Sequence, residues 1–135
     1  MTGYSGTPLP QKLGLKPGMT LVAIQAPDQY RSWLGEMPAD VAIVSASKGR
    51  VQAAHIFATR RAALKKHLVA FRRRLEQSGF LWVSWPKKAS RVDTDITEDV
   101  IRELALPLGF VDIKVCAVSD VWSGLKLVIR KGERA

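Results

Sequence analysis

The chain has 135 residues, of which 21 are Lys or Arg and 12 are Asp or Glu, so its formal charge is +9. This length suits one domain, and a composition of 47% hydrophobic and 24% charged residues excludes a disordered or fibrous chain. No apolar run approaches the roughly 20 residues of a membrane span, the N-terminal residues lack a signal-peptide pattern, and Cys116 stands alone. We therefore expect a cytoplasmic protein that has no disulfide and binds no membrane.

Apolar runs and helix-type spacings predict six strands and four helices. In chain order they are a helix over residues 7–14, a strand over 19–25, a helix over 29–34, strands over 40–45 and 55–58, a helix over 60–78, a strand over 80–85, a helix over 95–106, and strands over 111–118 and 125–130. The candidate helix caps are Thr7, Asp28, Thr59 and Asp95. Strands that alternate with helices predict one α/β domain over residues 1–135 with three layers and a mostly parallel sheet of about six strands. The short connection between the last two strands predicts an antiparallel hairpin.

Four segments carry a resemblance to known proteins: YSGTPLPQKLGLKPGM, FLWVSWPKKAS, TDITEDVIRELALPLGFVDIKVCAV and WSGLKLVIRK. On these segments the chain resembles a bacterial domain-of-unknown-function family of small methyltransferase-like proteins. The order of elements over residues 55–130 is also similar to the second half of class I S-adenosylmethionine-dependent methyltransferases. The resemblance implies a Rossmann-like domain, and it leaves the function open.

The first half departs from such methyltransferases where they hold their cofactor. Residues 25–29, the turn after the first strand, contain no glycine, and Pro27 removes a backbone donor. The second strand ends in Ser45 rather than in an acid for the ribose hydroxyls. Neither His55 nor His67 has an acid or a cysteine at ligand spacing. We therefore predict neither a metal site nor a cofactor.

The charge is polarised along the chain. Residues 48–91 hold 12 basic residues against Glu76 alone, a net charge of +11, whereas residues 92–112 carry a net charge of −5. On the helix over residues 60–78, the candidate residues for binding nucleic acid are Arg61, Lys65, Lys66, Arg72 and Arg73. The alternative is the solvated side of an amphipathic helix that buries Leu64, Leu68, Phe71 and Leu75.

Open α/β sheets bind ligands at the edge where their parallel strands end, and several candidates follow predicted strands there. The candidate ligand-binding residues are Pro27, Asp28, Thr59, Arg60, Ser84, Trp85, Lys87, Lys88 and Arg91. Residues 84–91 combine hydroxyls, an indole and three cations, which suit an anionic or planar ligand. The alternative for this segment is a proline-stopped loop with a partly buried tryptophan, and for Asp28 it is a helix cap.

These observations favour a Rossmann-like binding module without catalysis. It would engage an anionic small molecule, protein or nucleic acid at the carboxyl edge of the sheet and the basic segment 48–91. One alternative is an S-adenosylmethionine-dependent methyltransferase with an altered cofactor loop, and another is nucleic-acid binding through the basic helix. No set of nucleophile, base and orienting residue can be assembled from the sequence, so no catalytic residue is predicted.

Overall fold

A computed structural model describes residues 6–134 of the chain. In chain order its elements are α1 (Leu9–Leu13), β1 (Thr20–Ile24), α2 (Tyr30–Leu34), β2 (Ala42–Val44), β3 (Val51–Phe57), α3 (Arg61–Arg74), β4 (Leu75–Pro86), α4 (Glu98–Ala105), β5 (Phe110–Ala117) and β6 (Trp122–Ile129). Short 3-10 turns follow β4, α4 and β6. Within residues 6–134, no helix is both long and apolar enough to cross a membrane.

The six strands form one sheet in the order β2-β1-β3-β4-β6-β5. β1 lies parallel to both β2 and β3, and β3 lies parallel to β4. β6 runs antiparallel between β4 and β5. The prediction of a mostly parallel α/β sheet with a C-terminal antiparallel hairpin is therefore confirmed. β2 lies on one side of β1, and β3, the next strand along the chain, lies on the other side. The strand order therefore reverses between β1 and β3.

A layer of helices covers each face of this sheet. On one face α3 and α4 pack over a core that includes Leu64, Leu68 and Ile101. On the other face α1 and α2 pack over a second core, where the buried Trp82 Nε1–H donates a hydrogen bond to the carbonyl of Leu13 (2.9 Å). The three layers are those of a Rossmann-like domain.

The prediction of one helix over residues 60–78 is wrong at its end. α3 stops at Arg74, and the extended backbone of Leu75 begins β4. Leu75 pairs with Val51 of β3, and the register then shifts before the pair formed by Ala53 and Phe80. β3 begins at Val51, earlier than predicted, and its added residues give a backbone partner to Leu75. Strand pairing therefore overrides the helix-type spacing of Leu75 in the sequence.

The helix caps also differ from the prediction. Thr97 caps α4 by accepting a hydrogen bond from the Val100 amide, whereas Asp95 Oδ1 accepts one from the amide of Arg61 (2.6 Å). The loop before α4 thus satisfies the first amide of α3, and Asp95 connects two helices. The remaining predicted caps, which make no capping hydrogen bond to their helices, are Thr7, Asp28 and Thr59.

Candidate ligand-binding crevice

A first cavity of about 740 Å³ opens at the carboxyl edge of β1 and β2. Its walls are the ends of these strands, the segment between β1 and α2, the start of α2, and one residue of α3. Gln25 turns the chain at the end of β1 with a left-handed φ of 56°. The residues that supply polar side chains to the first cavity are Gln25, Asp28, Tyr30, Arg31, Ser45 and His67.

A second cavity of about 370 Å³ lies over the end of β3. Phe57, Thr59 and Arg60 line it from the end of β3 and the residues that follow, and Trp122 lines it from β6. Gln25 and His67 line both cavities. The two cavities therefore adjoin and form one crevice, which crosses the point where the strand order reverses.

The charged side chains that line the crevice are mostly basic. Arg31 lines the first cavity and Arg60 the second, whereas Asp28 is the carboxylate of the first cavity. The hydrogen bond that Arg60 donates to Asp93 (2.7 Å) raises the pKa of Arg60. Partial burial, together with the charge of Lys66, lowers the pKa of His67 below its ordinary value of 6.5. No group of three or more His, Cys, Asp or Glu in the described part of the chain could hold a metal ion.

A buried polar network supports the wall of the first cavity. Tyr30 Oη is hydrogen bonded to His55 Nδ1 (2.7 Å), and His55 Nε2 is hydrogen bonded to Ser84 Oγ (2.7 Å). His55 and Ser84 are completely buried, and the imidazole stacks on Phe57 with ring centroids 4.2 Å apart. Burial lowers the pKa of His55 to about 3 and raises that of Tyr30. The imidazole is therefore neutral near pH 7 and fixes the Tyr30 ring against the cavity.

The structure brings four of the predicted ligand-binding residues into the crevice. Pro27 and Asp28 line the first cavity, and Thr59 and Arg60 line the second. Thr59 is fixed there because its carbonyl accepts a hydrogen bond from Thr94 Oγ1 (2.7 Å). These residues lie at one edge because the strands before them are parallel and end together.

The other predicted ligand-binding residues lie elsewhere. The Ser84 hydroxyl is bonded to His55 in the core, and Trp85 is 8% exposed and packs below α3 and α4, so neither side chain is offered to a ligand. In the loop after β4, neither cavity is lined by Lys87, Lys88 or Arg91. The amide of Lys87 fixes this loop to the β5–β6 connection by donating to the carbonyl of Val121 (2.7 Å). A role in ligand binding for these three cations stays a prediction.

The basic face of α3 is partly engaged inside the molecule. Arg61 pairs with Glu103 of α4 (2.8 Å), and Arg72 donates to the carbonyl of Leu108 (2.7 Å). In the described region, the nucleic-acid candidates without an ion pair are Lys65, Lys66 and Arg73. All three side chains are exposed. Binding of nucleic acid by this face stays a prediction.

Sequence reasoning missed Tyr30, His67 and Trp122 as crevice residues. One signal was available for His67: it lies six residues after Arg61, about 9 Å along a helix that starts at the carboxyl edge. It also follows Ala63, another lining residue of the second cavity, by one helical turn. Trp122 gives no such signal, because only the pairing of β6 with β4 brings it to this edge.

No protein-family model matches the chain, and no curated protein matches it in sequence. Its fold is similar to that of a Sulfolobus solfataricus protein named as a candidate type 11 methyltransferase, with a TM-score of 0.62 and 15% identity over 93% of this chain and 91% of that one. For a ribosomal protein L11 methylase from Lactobacillus delbrueckii subsp. bulgaricus, the TM-score is 0.55 and the identity 12%, over 89% of this chain and 74% of that one. For a fibrillarin pre-rRNA processing protein from Methanococcus jannaschii, the TM-score is 0.56 and the identity 9%, over 95% of this chain and 71% of that one. At such identities these similarities show a methyltransferase-like fold.

Proposed function

We propose that the protein is a Rossmann-like binding module that takes a small anionic ligand in the crevice and performs no reaction on it. The observation that carries this proposal is the set of basic side chains along the crevice. Arg31, Arg60 and His67 line it; the carboxylates beside them are Asp28, which lines the first cavity, and Asp93, which pairs with one guanidinium nitrogen of Arg60. Arginines donate charge-assisted hydrogen bonds to anions, and a bound anion raises the pKa of His67, so that its imidazole donates one as well.

The position and size of the crevice support a small ligand. Ligand sites in proteins commonly have volumes of about 300–1,000 Å³, and both cavities fall within this range. In open α/β sheets, ligands bind beyond the carboxyl ends of the strands where the strand order reverses. The crevice lies at that place between β1 and β3.

The contacts of the polar side chains favour binding without catalysis. Nucleophilic catalysis uses a hydroxyl or thiol hydrogen bonded to a base that a substrate can reach. In the described region, the hydroxyl–imidazole contacts are those of His55 with Tyr30 and Ser84, and His55 and Ser84 are completely buried. His67, which a ligand can reach, has no carboxylate bonded to it in the same region.

A methyltransferase is the second candidate, and the fold is the observation that favours it. The crevice residues do not fit S-adenosylmethionine. Pro27 offers no amide donor at the turn after β1, and Ser45 stands after β2 where a carboxylate would hold the ribose. The sulfonium gives this cofactor a net positive charge, which Arg31 and Arg60 oppose.

Calorimetric titration of the full chain separates these two candidates. We expect saturable heat with pyrophosphate, and no heat with S-adenosylmethionine or its demethylated product at millimolar concentration. Saturable binding of S-adenosylmethionine without binding of pyrophosphate would replace the proposed function by the second candidate.

Charge-removing variants locate the anion. Because a hydrogen bond to a charged group contributes roughly 1.5–3 kcal/mol, we expect Arg31→Gln and Arg60→Gln each to weaken pyrophosphate binding about tenfold or more. Lys131→Gln is the matched control, since it removes one positive charge from an exposed side chain outside the crevice. Equal losses in all three variants would show that the anion responds to the net charge of the protein rather than to the crevice.

Nucleic-acid binding through α3 rests on the exposed Lys65, Lys66 and Arg73. Phosphate contacts release counterions, so such binding weakens steeply as the salt concentration rises. Fluorescence anisotropy with mixed single- and double-stranded DNA and RNA tests it. The absence of binding at low ionic strength would reject this role.

The sequence of residues 4–19, 80–90, 94–118 and 122–131 also supports membership of the bacterial methyltransferase-like family, and the single sheet supports one domain over residues 1–135. Limited proteolysis tests the domain assignment, because a single domain leaves one resistant fragment. Two resistant fragments of comparable size would contradict it.

A further inference from the structure

The second cavity differs in chemistry from the first. The indole of Trp122 lines it and packs edge-to-face on Phe57, with ring centroids 5.2 Å apart and an interplanar angle of 82°. Ala58 and Ala63 add apolar surface, and Arg60 is its charged group. Because Trp122 is only half-buried, part of its ring is open to a ligand. A cavity of about 370 Å³ with an aromatic wall suits a planar heterocycle.

His67 lies at the junction of the two cavities, which it lines together with several charged groups. Lys66 on its own helix acts on its charge, while Asp28 and Arg31 line the first cavity with it and Arg60 lines the second. The uncharged Gln25 and Trp122 line the second cavity with it. A ligand that spans both cavities therefore passes between Arg31 in the first cavity and Arg60 in the second, where Asp93 pairs with Arg60 through one guanidinium nitrogen.

Building on the proposed function, we propose that the anion is a nucleotide, whose heterocycle lies against Trp122 in the second cavity and whose phosphate lies beside His67 in the first. The aromatic wall selects the planar ring. His67 from α3 and Arg31 from α2, which both line the first cavity, donate to the phosphate. A sugar between ring and phosphate then crosses the junction next to Gln25.

Comparison of related probes on the unmodified full chain tests this assignment. AMP and UMP carry ring and phosphate, ribose 5-phosphate lacks the ring, adenosine lacks the phosphate, and pyrophosphate has neither ring nor sugar. Stacking of a base on an aromatic side chain corresponds to roughly tenfold to hundredfold in affinity. We expect AMP or UMP to bind at least about tenfold more tightly than both ribose 5-phosphate and adenosine.

The outcomes separate this inference from the proposed function. If ribose 5-phosphate binds as tightly as both nucleotides, the nucleotide assignment is overturned while anion binding in the crevice stands. If no phosphate compound binds, pyrophosphate included, both are overturned. If adenosine binds as tightly as AMP, the phosphate assignment is overturned.

Substitution of Trp122 tests the position of the ring. Trp122→Leu should lower nucleotide affinity about tenfold or more and leave the affinity for ribose 5-phosphate unchanged, whereas Trp122→Phe keeps an aromatic wall and most of the affinity. Circular dichroism establishes that each variant is folded. A loss of nucleotide affinity in Trp122→Phe as large as that in Trp122→Leu would contradict stacking, as would no loss in either.

The pH dependence of binding tests the position of the phosphate. Burial and Lys66 lower the pKa of free His67, and a bound phosphate raises it, so binding takes up a proton. The affinity of the unmodified chain should therefore gain more on acidification from about pH 7.5 to 5.5 than that of His67→Gln, which experiences the same titration of the phosphate (second pKa about 6). Lys65→Gln, an exposed charge on the same helix, should keep the original profile. Superimposable profiles for His67→Gln and the unmodified chain would overturn the assignment of His67.

Discussion

Acidification probes the buried network of Tyr30, His55 and Ser84. Both nitrogens of His55 are hydrogen bonded, and the imidazole has no exposed surface. Its pKa falls from 6.5 to about 3, and burial is the cause. In the unfolded chain the same imidazole regains a pKa near 6.5. Between pH 6.5 and pH 3 the unfolded state therefore binds a proton that the native state does not bind. The free energy of unfolding decreases as the pH falls through this range.

The size of this effect follows from the two pKa values. Each pH unit well below 6.5 removes about 1.4 kcal/mol, so the change from pH 6.5 to pH 4.5 removes about 2 kcal/mol. Well above pH 6.5 the imidazole is neutral in both states and contributes no pH dependence. Against the roughly 5–15 kcal/mol that stabilises a typical domain, a loss of this size moves a denaturation midpoint measurably.

Urea denaturation of three proteins at about pH 6.5 and pH 4.5 measures this loss. His55→Gln keeps a polar side chain but cannot titrate, so its free energy of unfolding should decrease by about 2 kcal/mol less than that of the unmodified chain. His67→Gln is the control, because His67 is half-buried and loses less of its basicity on folding. Equal pH dependence of His55→Gln and the unmodified chain would refute the reasoning. So would an NMR titration of the unmodified native protein in which the His55 ring titrates near pH 6.

Two further substitutions test the packing of the sheet. A Cβ added by Gly79→Ala would lie 2.7 Å from the carbonyl oxygen of Gln52, so we expect a loss of about 1–3 kcal/mol in urea denaturation, against about 0.5 kcal/mol or less for Gly132→Ala, where nothing lies within 4 Å. Equal losses would show that the close approach is unimportant. Trp82→Phe leaves the buried carbonyl of Leu13 without its donor, so we expect a loss of about 1–3 kcal/mol and faster amide exchange in α1. Unchanged exchange in α1 would contradict a role of this bond in holding the helix.

The order of the elements could be predicted because each strand carries its own apolar run. The boundary between α3 and β4 could not. Leu75 continues the helical stripe of Leu64, Leu68 and Phe71, so local spacing favours helix through this residue. The competing partner is Val51, which is distant in sequence and pairs with Leu75 only once β3 has formed. Pairing with a strand distant in sequence decides this boundary, and the local pattern of residues carries no information about that pairing.

The candidate site divides in the same way. Pro27, Asp28, Thr59 and Arg60 could be predicted because each follows a parallel strand, and parallel strands of one sheet end at one edge. His67 comes instead from one face of a helix, and its approach to the crevice depends on how α3 packs on the sheet. The sequence therefore predicts which strand ends form the edge of the sheet, and the packing of the helices decides which further side chains line the crevice there.

The two tryptophans at this edge show how register decides the chemistry of the site. Trp122 pairs with Pro86, whereas Trp85 pairs with Ser123. Directly paired residues point to the same face of a sheet and successive residues to opposite faces, so the two indoles must point to opposite faces. Trp85 accordingly packs into the core below α3 and α4, and Trp122 packs on Phe57 at the crevice. A slip of β6 by one residue would exchange the faces of its side chains and remove the aromatic wall. The aromatic wall therefore depends on the pairing of β4 with β6, and a change in that register would remove it without any substitution in the crevice.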